Sequence, residues 1–347
     1  MFALGLALLS AMLFGASTPA SKFLLASLDP FQLAGLLYLG AAIGMAPVVA
    51  LERRAGRRLR LDRTNLLRLS GAVVAGGILG PVLLLMALQR TLAGSISLLL
   101  NLEMVATAVL GVLLFREHLG RRGWLGVAGV VAAGGIVAAG GGTPGVVAGL
   151  LTSLACICWG LDNHLTALID GMTPARSTLV KGIVAGSTNL ILGLMYAPFV
   201  AMPGVVVAAL VVGALAYGVS VALYIVSAQA LGATRAQAIF ACAPVFGAGL
   251  AIGVLREPIE AEQVVAALLL IPSIAALFFS QHAHAHAHVH EPTEHVHGHR
   301  HDDGHHLHEH AGESAWLRHS HVHRHERLAH AHPHWPDLHH RHVHDVE

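Results

Sequence analysis

Residues 93–117 read AGSISLLLNLEMVATAVLGVLLFRE, and residues 233–257 read ATRAQAIFACAPVFGAGLAIGVLRE. Both stretches begin with alanine, continue through an apolar run and end in Arg-Glu. Matched positions keep a constant separation without a gap, since Val105 aligns with Val245 and Glu117 aligns with Glu257. Self-similarity at a fixed spacing predicts that the chain contains an internal duplication.

The composition of the chain excludes a soluble globular fold. Its 347 residues are 55% apolar and 12% charged, with a mean hydropathy of +0.65, whereas ordinary soluble domains contain about 25% charged residues. Residues 1–280 hold 16 Lys and Arg and 10 Asp and Glu, nearly all between long apolar runs. The three cysteines also lie in apolar runs, so no disulfide framework is expected. This pattern predicts an all-α, polytopic membrane protein.

Cutting the apolar runs at charges, Gly/Pro clusters and helix-stop signals predicts ten transmembrane helices. They are expected at about residues 2–21, 31–51, 66–88, 92–115, 123–140, 146–168, 177–197, 204–228, 232–255 and 261–280. The duplication divides them into two repeats of five, residues 1–140 and 141–280. Because five is an odd number, the second repeat enters the membrane from the opposite side, which predicts a 5+5 inverted-topology repeat.

Basic residues are concentrated in alternate loops. Residues 52–63 contain six arginines, and Arg121 and Arg122 follow the fourth span, whereas the loops at residues 140–145 and 198–204 carry no charge. Loops rich in Lys and Arg face the cytoplasm. Both termini, with the histidine-rich end of the chain, are therefore expected in the cytoplasm.

Several motifs resemble the EamA-type drug/metabolite transporter superfamily. They are the two copies of the stretch ending in Arg-Glu and the aromatic-Gly pairs Phe14-Gly15 and Trp159-Gly160, which align with each other at a slightly larger shift. Residues 159–163, followed by residues 181–189, are similar to a bacterial subgroup of this superfamily. The resemblance covers residues 1–280.

This resemblance implies a ten-helix carrier of the bacterial inner membrane that moves a small solute by alternating access. An ion gradient is expected to drive it, with the proton as the candidate coupling ion. Met104 stands where the family usually has proline, although Pro244 keeps that proline in the second copy, and the family has no consistent histidine-rich tail. No nucleic-acid partner is expected, and the absence of phosphate-binding and nucleophile motifs argues against an enzyme.

Charged and amide side chains inside the predicted spans are the candidate solute and coupling residues, since an ionisable group in hydrocarbon costs about 2.5–3.5 kcal/mol. They are Glu103, Asp162, Asn163, Lys181 and Asn189. Glu103 is interpreted either as a proton-coupling carboxylate or as a packing partner for a basic residue such as Lys181. Asp162 and Lys181 either form a structural pair or leave the lysine free to bind an anion.

Small residues and prolines inside the spans predict how the helices pack. Glycines four residues apart permit close approach, and four such pairs occur: Gly76 and Gly80, Gly145 and Gly149, Gly182 and Gly186, Gly249 and Gly253. Pro81, Pro244 and Pro272 are expected to interrupt helices and free backbone carbonyls near the site. His164 is expected to bond to a neighbouring carbonyl.

Residues 281–347 hold 24 of the 26 histidines, together with ten carboxylates. Such a charged, proline-containing segment is expected to be disordered. Neutral imidazole suits Zn, Ni, Co and Cu, and the expected ligands are His282, His284, His286, His288, His290, His295, His297, His299 and His301. Two other interpretations are a polycation that charges as the pH falls through about 6.5 and a low-complexity expansion without a role.

Three functions are consistent with these features. The first is transport of a small organic metabolite or drug across the lipid bilayer, with the tail peripheral and no cofactor required. The second is transport of a divalent metal, with the tail buffering or sensing Ni, Co or Zn. The third is a non-transporting metal sensor anchored by the bundle, although ten spans are more than an anchor needs.

Overall fold

The computed structural model describes residues 2–54, 62–115, 119–169, 172–231, 240–279, 284–290, 294–299, 319–324 and 328–334. Within these ranges the chain forms fourteen α-helices: α1 Phe2–Gly15, α2 Ser17–Leu24, α3 Pro30–Arg54, α4 Arg63–Ala72, α5 Gly80–Leu88, α6 Ala93–Leu99, α7 Leu102–Phe115, α8 Arg121–Gly140, α9 Gly142–Ala167, α10 Pro174–Tyr196, α11 Pro203–Val212, α12 Ser220–Leu231, α13 Ala243–Gly253 and α14 Ala261–Phe279. Two π-helical segments lie between them, Val73–Leu79 after α4 and Gly213–Val219 after α11.

Among the described residues, eight helical stretches are long and apolar enough to cross a membrane, as expected of a multi-pass membrane protein. They are Leu4–Leu24, Pro30–Glu52, Arg63–Leu88, Ala93–Leu114, Arg121–Gly140, Gly142–Ala167, Pro174–Tyr196 and Pro203–Tyr224. Each coincides with one of the first eight predicted spans. The last two predicted spans contain the shorter apolar helices Ala243–Gly253 and Ala261–Leu277, and residues 232–239 and 280 lie outside the described residues. The presence of ten transmembrane helices therefore stays a prediction.

Four of the predicted spans are interrupted. In the first span α1 ends at Gly15 and α2 begins at Ser17, and in the fourth α6 ends at Leu99 and α7 begins at Leu102. The third and eighth spans change from α-helix to π-helix and back. Hydropathy treats a span as one helix, so it does not reveal these interruptions.

The two π segments occupy equivalent positions in the two sequence repeats. The second π segment, Gly213–Val219, begins and ends as far along the chain from the first, Val73–Leu79, as Val245 lies from Val105. The preceding helices α4 and α11 have the same separation. A π-helix bonds each N–H five residues back instead of four, and such segments are rare. The duplication read from the sequence is therefore present in the backbone geometry as well.

Helices from the two parts of the chain interleave in one bundle. α3 packs along α10 and against the second π segment, and α8 packs along α14. α1 contacts α12 and α13, while α9 contacts α5 and α7. Each of these contacts joins a helix from the first repeat to one from the second, so neither repeat buries its surfaces alone.

Glycines on α10 allow it to lie close to α3. A Cβ on Gly182 would lie 2.7 Å from the carbonyl oxygen of Tyr38, and a Cβ on Gly186 would lie 2.8 Å from the amide nitrogen of Leu39. Real Cβ contacts of this length essentially do not occur. The predicted close approach at this pair of glycines is confirmed.

Two more of the predicted glycine pairs are confirmed, and one stays a prediction. Added Cβ atoms would fall within 2.8 Å of a neighbouring atom at Gly76, Gly80, Gly145 and Gly149. At Gly249 and Gly253, by contrast, no described atom lies within 4 Å of the added Cβ. A pattern of small residues marks a smooth helix face, but it does not reveal whether another helix lies against that face.

The described parts of the tail form four short strands. They are β1 His284–His290, β2 Glu294–His299, β3 His319–Arg324 and β4 Leu328–His334. β1 pairs antiparallel with β4, and β2 pairs antiparallel with β3. These segments differ from the predicted disorder because histidine alternates with other residues at the two-residue period of a strand.

Two serines join α1 to α12. Ser10 Oγ donates to the carbonyl oxygen of Ser220 at 2.7 Å, and Ser220 Oγ donates to the carbonyl oxygen of Ser10 at 2.9 Å. Both serines are fully buried. Hydrogen bonds of this kind hold membrane helices together because the bilayer supplies no competing donor or acceptor.

We expect Ser10→Ala and Ser220→Ala each to lower the free energy of unfolding by about 0.6–1.7 kcal/mol, the range measured for hydrogen bonds between membrane helices. Denaturation in detergent of both single variants and the double variant would measure these losses. Ser153→Ala is the matched control, since Ser153 Oγ bonds to Gly149 within its own helix. A loss no larger than that of the control in both single variants would contradict the link between the helices.

Candidate functional site

The candidate residues lie on three helices around the first π segment. Glu103 is on α7, Asp162 and Asn163 are on α9, and Lys181 and Asn189 are on α10. The π segment Val73–Leu79 contacts both α9 and α10, and α9 also contacts α7. The structure therefore brings all five residues into one region of the bundle.

Asp162 and Lys181 form an ion pair inside the bundle. Lys181 Nζ donates to Asp162 Oδ1 at 2.6 Å and to Oδ2 at 2.7 Å, and Thr166 Oγ1 donates to Oδ1 at 2.8 Å. The side chains of Lys181 and Asp162 are only 15% and 11% exposed. Both charges are thus compensated where an unpaired charge would be costly. Of the two sequence interpretations, the pair is the one present in the structure.

Two glycines of the π segment make room for this ion pair. A Cβ on Gly76 would overlap Asp162 Oδ2. A Cβ on Gly77 would lie 2.6 Å from Ala185 Cβ and 3.2 Å from Lys181 Cγ. The carboxylate therefore rests directly on the backbone of the third span, a role that the small-residue pattern did not indicate.

Glu103 adjoins the ion pair through the next residue of α9. Asn163 Nδ2 donates to Glu103 Oε1 at 3.1 Å and to Thr107 Oγ1 at 3.3 Å. Glu103 is half-buried and Asn163 is exposed. His164 Nε2 lies 2.9 Å from the carbonyl oxygen of Thr107, which confirms the backbone contact expected for that histidine.

Pro81 removes one backbone donor at the end of the π segment. The N–H of residue 81 would bond to Gly77 in α geometry or to Gly76 in π geometry, but proline has no N–H. The N–H of Gly80 is already bonded to Ala75. In apolar surroundings the freed oxygen needs another donor.

Three side chains from other helices donate to the carbonyl oxygens of Gly76 and Gly77. Tyr38 Oη of α3 donates to the carbonyl oxygen of Gly76 at 2.6 Å, and Trp159 Nε1 of α9 donates to the same oxygen at 3.0 Å. Asn189 Nδ2 of α10 donates to the carbonyl oxygen of Gly77 at 3.1 Å. Asn189 is fully buried, so the structure places it against the backbone. Tyr38 was missed by the sequence analysis, although Pro81 signalled that donors would be needed here.

Glu257, which served only as a repeat marker in the sequence, joins the two repeats at one end of the bundle. Its Oε1 accepts from the amide of Ala93 at 2.8 Å, and its Oε2 accepts from the amide of Gly94 at 2.9 Å. These are the first N–H groups of α6, which have no partner within the helix. Arg256 adopts a left-handed φ of 56° in the turn that precedes this carboxylate.

Two further contacts tie together the same end of the bundle. Gln263 Nε2 of α14 donates to Ser95 Oγ of α6 at 3.0 Å. Lys22 Nζ donates to the carbonyl oxygens of Leu88 and Thr91, at 2.5 and 2.8 Å. This end is therefore held by polar contacts between spans one, three, four and ten.

Aromatic rings pack together beside the site, around the second π segment. The ring centroid of Phe14 lies 5.8 Å from that of Tyr217 and 5.3 Å from that of Phe240. Tyr224 lies 5.1 Å from Phe240, and Tyr38 lies 5.8 Å from Tyr217. Tyr38 thus belongs both to this aromatic group and to the polar contacts at Gly76.

No group of three metal-ligating side chains occurs in the part of the chain that the structure describes. The expected ligands His284 to His290 lie on β1, and His295 to His299 lie on β2. His282 and His301 fall outside the described residues. Metal binding by the tail therefore stays a prediction.

Comparison with known proteins identifies the family. The model of the EamA-like transporter family matches residues 1–138 and again residues 146–279. The chain belongs to the EamA-like transporter family. It is therefore a membrane transporter, and the expected membership is confirmed.

Two further likenesses accompany this match. Over 288 residues the chain is 26% identical to an uncharacterized transporter of Methanothermobacter thermautotrophicus, covering 77% of this chain and 83% of that protein. A solved crystal structure superposes with a TM-score of 0.57 at 15% identity, covering 78% of this chain and 95% of that one. At this identity the crystal structure shows a shared fold alone.

We expect Gly76→Ala to lower the free energy of unfolding by about 1–3 kcal/mol, because the new methyl group collides with the Asp162 carboxylate. Thermal unfolding in detergent measures the loss. Gly135→Ala is the matched control, since nothing lies within 4 Å of a Cβ there and alanine favours a helix over glycine. Equal stability of the two variants would contradict the packing of Asp162 on Gly76.

Proposed function

We propose that the chain is a secondary transporter that moves a small organic metabolite or drug across a bacterial inner membrane by alternating access. The solute and coupling residues are Glu103, Asp162, Asn163, Lys181 and Asn189. The observation that carries the proposal is the interior Asp162–Lys181 pair with Glu103 beside it, because charged side chains within a membrane bundle mark solute or ion pathways. Such a permease needs no enzymatic activity.

Helix packing supports a 5+5 inverted repeat. In the two repeats, α1 is equivalent to α9, α7 to α13 and α5 to α12. The contacts are equivalent too, since α1 packs against α13 and α12 as α9 packs against α7 and α5. The aromatic-Gly pairs follow the same equivalence. A Cβ on Gly15 would overlap the carbonyl oxygen of Ala243 on α13, and one on Gly160 would lie 3.0 Å from the amide nitrogen of Thr107 on α7. Repeats related in this way can rock about a central site.

The polar contacts also support alternating access. Glu257 joins the two repeats at one end of the bundle, while Asn163 beside the ion pair is exposed. With both termini in the cytoplasm, as the loop charges predict, the Glu257 end faces outward. The arrangement then corresponds to a carrier closed to the outside and open to the cytoplasm.

Glu103 is the coupling carboxylate in this proposal. Lys181, the basic partner considered for it, is bonded to both oxygens of Asp162, whereas Glu103 accepts from the neutral amide of Asn163. Among the residues that the structure describes, no ion pair to Glu103 is formed, and such a carboxylate in apolar surroundings can exchange a proton as solute binds and leaves. The proton is therefore the coupling ion that we infer.

A screen in proteoliposomes tests this function. Vesicles that contain the full chain and a trapped pH-sensitive dye are exposed to pools of small organic metabolites. We expect at least one pool to change the internal pH, and Glu103→Gln to reduce that change to background because it removes the titrating group. Glu262→Gln, at the start of α14, is the matched control and should keep full flux. A response in Glu103→Gln equal to that of the full chain would overturn the assignment of Glu103.

For the tail we propose binding of Zn, Ni, Co or Cu, supported by its 24 histidines and the affinity of imidazole for these ions. The purified full chain is expected to retain added Ni²⁺ through gel filtration, and the chain ending at Gln281 to lose most of it. Equal retention by the two chains would contradict the proposal. Ni²⁺ flux into vesicles that survives this truncation but fails in Glu103→Gln would instead make the metal the transported solute.

A further inference from the structure

The carbonyl oxygen of Gly76 is the point at which three helices meet. It accepts from Tyr38 of α3 and from Trp159 of α9, because Pro81 removes the backbone donor that would otherwise occupy it. Asp162 rests on the same glycine. One oxygen thus sets the distance of α3 and of α9 from the third span.

Each donor lies next to one partner of the ion pair. Trp159 precedes Asp162 by three residues on α9, so the two side chains lie on the same face of that helix. The backbone of Tyr38 lies against Gly182, the residue that follows Lys181 on α10. Fixing Trp159 and Tyr38 on a common oxygen therefore fixes the helix that carries the aspartate and the helix that carries the lysine.

We propose that Tyr38 and Trp159 are positioning residues, which act through the carbonyl of Gly76 to hold Asp162 and Lys181 in register with each other. The inference rests on the proposed function, since it concerns the same site. It differs from a purely structural role in a specific way. If Tyr38 and Trp159 only supplied hydrogen bonds to the Gly76 oxygen, any other donor could replace them without moving Asp162 or Lys181.

The lysine content of the chain permits a direct test. Lys22 and Lys181 are the only lysines in the sequence, so acetylation of the full chain in detergent, read by mass spectrometry, compares two side-chain amines. Lys181 is held by Asp162, while Lys22 bonds to backbone oxygens at the end of the bundle. The ratio of Lys181 to Lys22 labelling therefore reports on the ion pair, with Lys22 as the internal standard.

We expect Tyr38→Phe and Trp159→Phe each to raise this ratio about fivefold, the factor equivalent to losing a hydrogen bond worth roughly 1 kcal/mol. Asp162→Asn, which removes the lysine's partner, defines the upper limit of the ratio. Tyr196→Phe and Trp124→Phe make the same chemical changes at exposed positions and should leave the ratio unchanged. An unchanged ratio in both Tyr38→Phe and Trp159→Phe, or an equal rise of Lys22 and Lys181 labelling, would overturn the proposal.

The Pro81→Ala substitution distinguishes a role of Tyr38 and Trp159 in positioning the ion pair from a role only in hydrogen bonding to the Gly76 oxygen. In the Tyr38→Phe/Trp159→Phe double variant, alanine at this position supplies the missing N–H and should restore thermal stability while Lys181 stays reactive. Val221→Ala, at the equivalent position of the second repeat, is the matched control. Restoration of Lys181 protection by Pro81→Ala would overturn the positioning role. Because no solute is used, this outcome is independent of whether the transport screen succeeds.

Discussion

A backbone carbonyl without a donor is hardly tolerated in a bilayer, where each unsatisfied group costs several kcal/mol. Pro81 lacks the N–H that would bond to such a carbonyl in the middle of the third span, and side chains from three other helices donate to the carbonyl oxygens there. The glycines that expose these oxygens also leave space for a carboxylate. The interior ion pair and the convergence of α3, α9 and α10 thus depend on the same missing hydrogen bond.

The two repeats share a geometry but differ in chemistry. The π segments recur at the separation of the two sequence copies, and the helix contacts exchange between repeats. Yet Asp162 corresponds to Ser17 when the aromatic-Gly pairs are aligned, and Glu103 corresponds to Ala243 when the Arg-Glu stretches are aligned. The charges Glu103 and Asp162 therefore lie where α7 meets α9, while aromatic rings fill the region that the exchange relates to it. This asymmetry indicates one charged site for each bundle.

Features that depend on composition and spacing could be predicted from the sequence, and contacts between distant helices could not. Eight spans, the duplication and the Asp162–Lys181 pair as one of two alternatives followed from hydropathy, self-similarity and the rarity of interior charges. The role of Glu257 at α6 depends on a turn that carries it across the repeat boundary. Packing at Gly249 and Gly253 could not be read from the sequence for the same reason, because the spacing of small residues describes one helix face and not the helix that packs against it.

The π segment in the third span also sets how the following helix, α5, is rotated about its axis relative to α4. Each residue of an α-helix turns the side chains by about 100°, so the wider turn at Val73–Leu79 offsets α5 from the face that α4 would dictate. Insertion or loss of a single residue there would rotate α5 by about 100° about its axis relative to α4 and misalign the side chains that α5 buries. The length of this segment is therefore as tightly constrained as the identity of its glycines, and the same holds for its copy at Gly213–Val219.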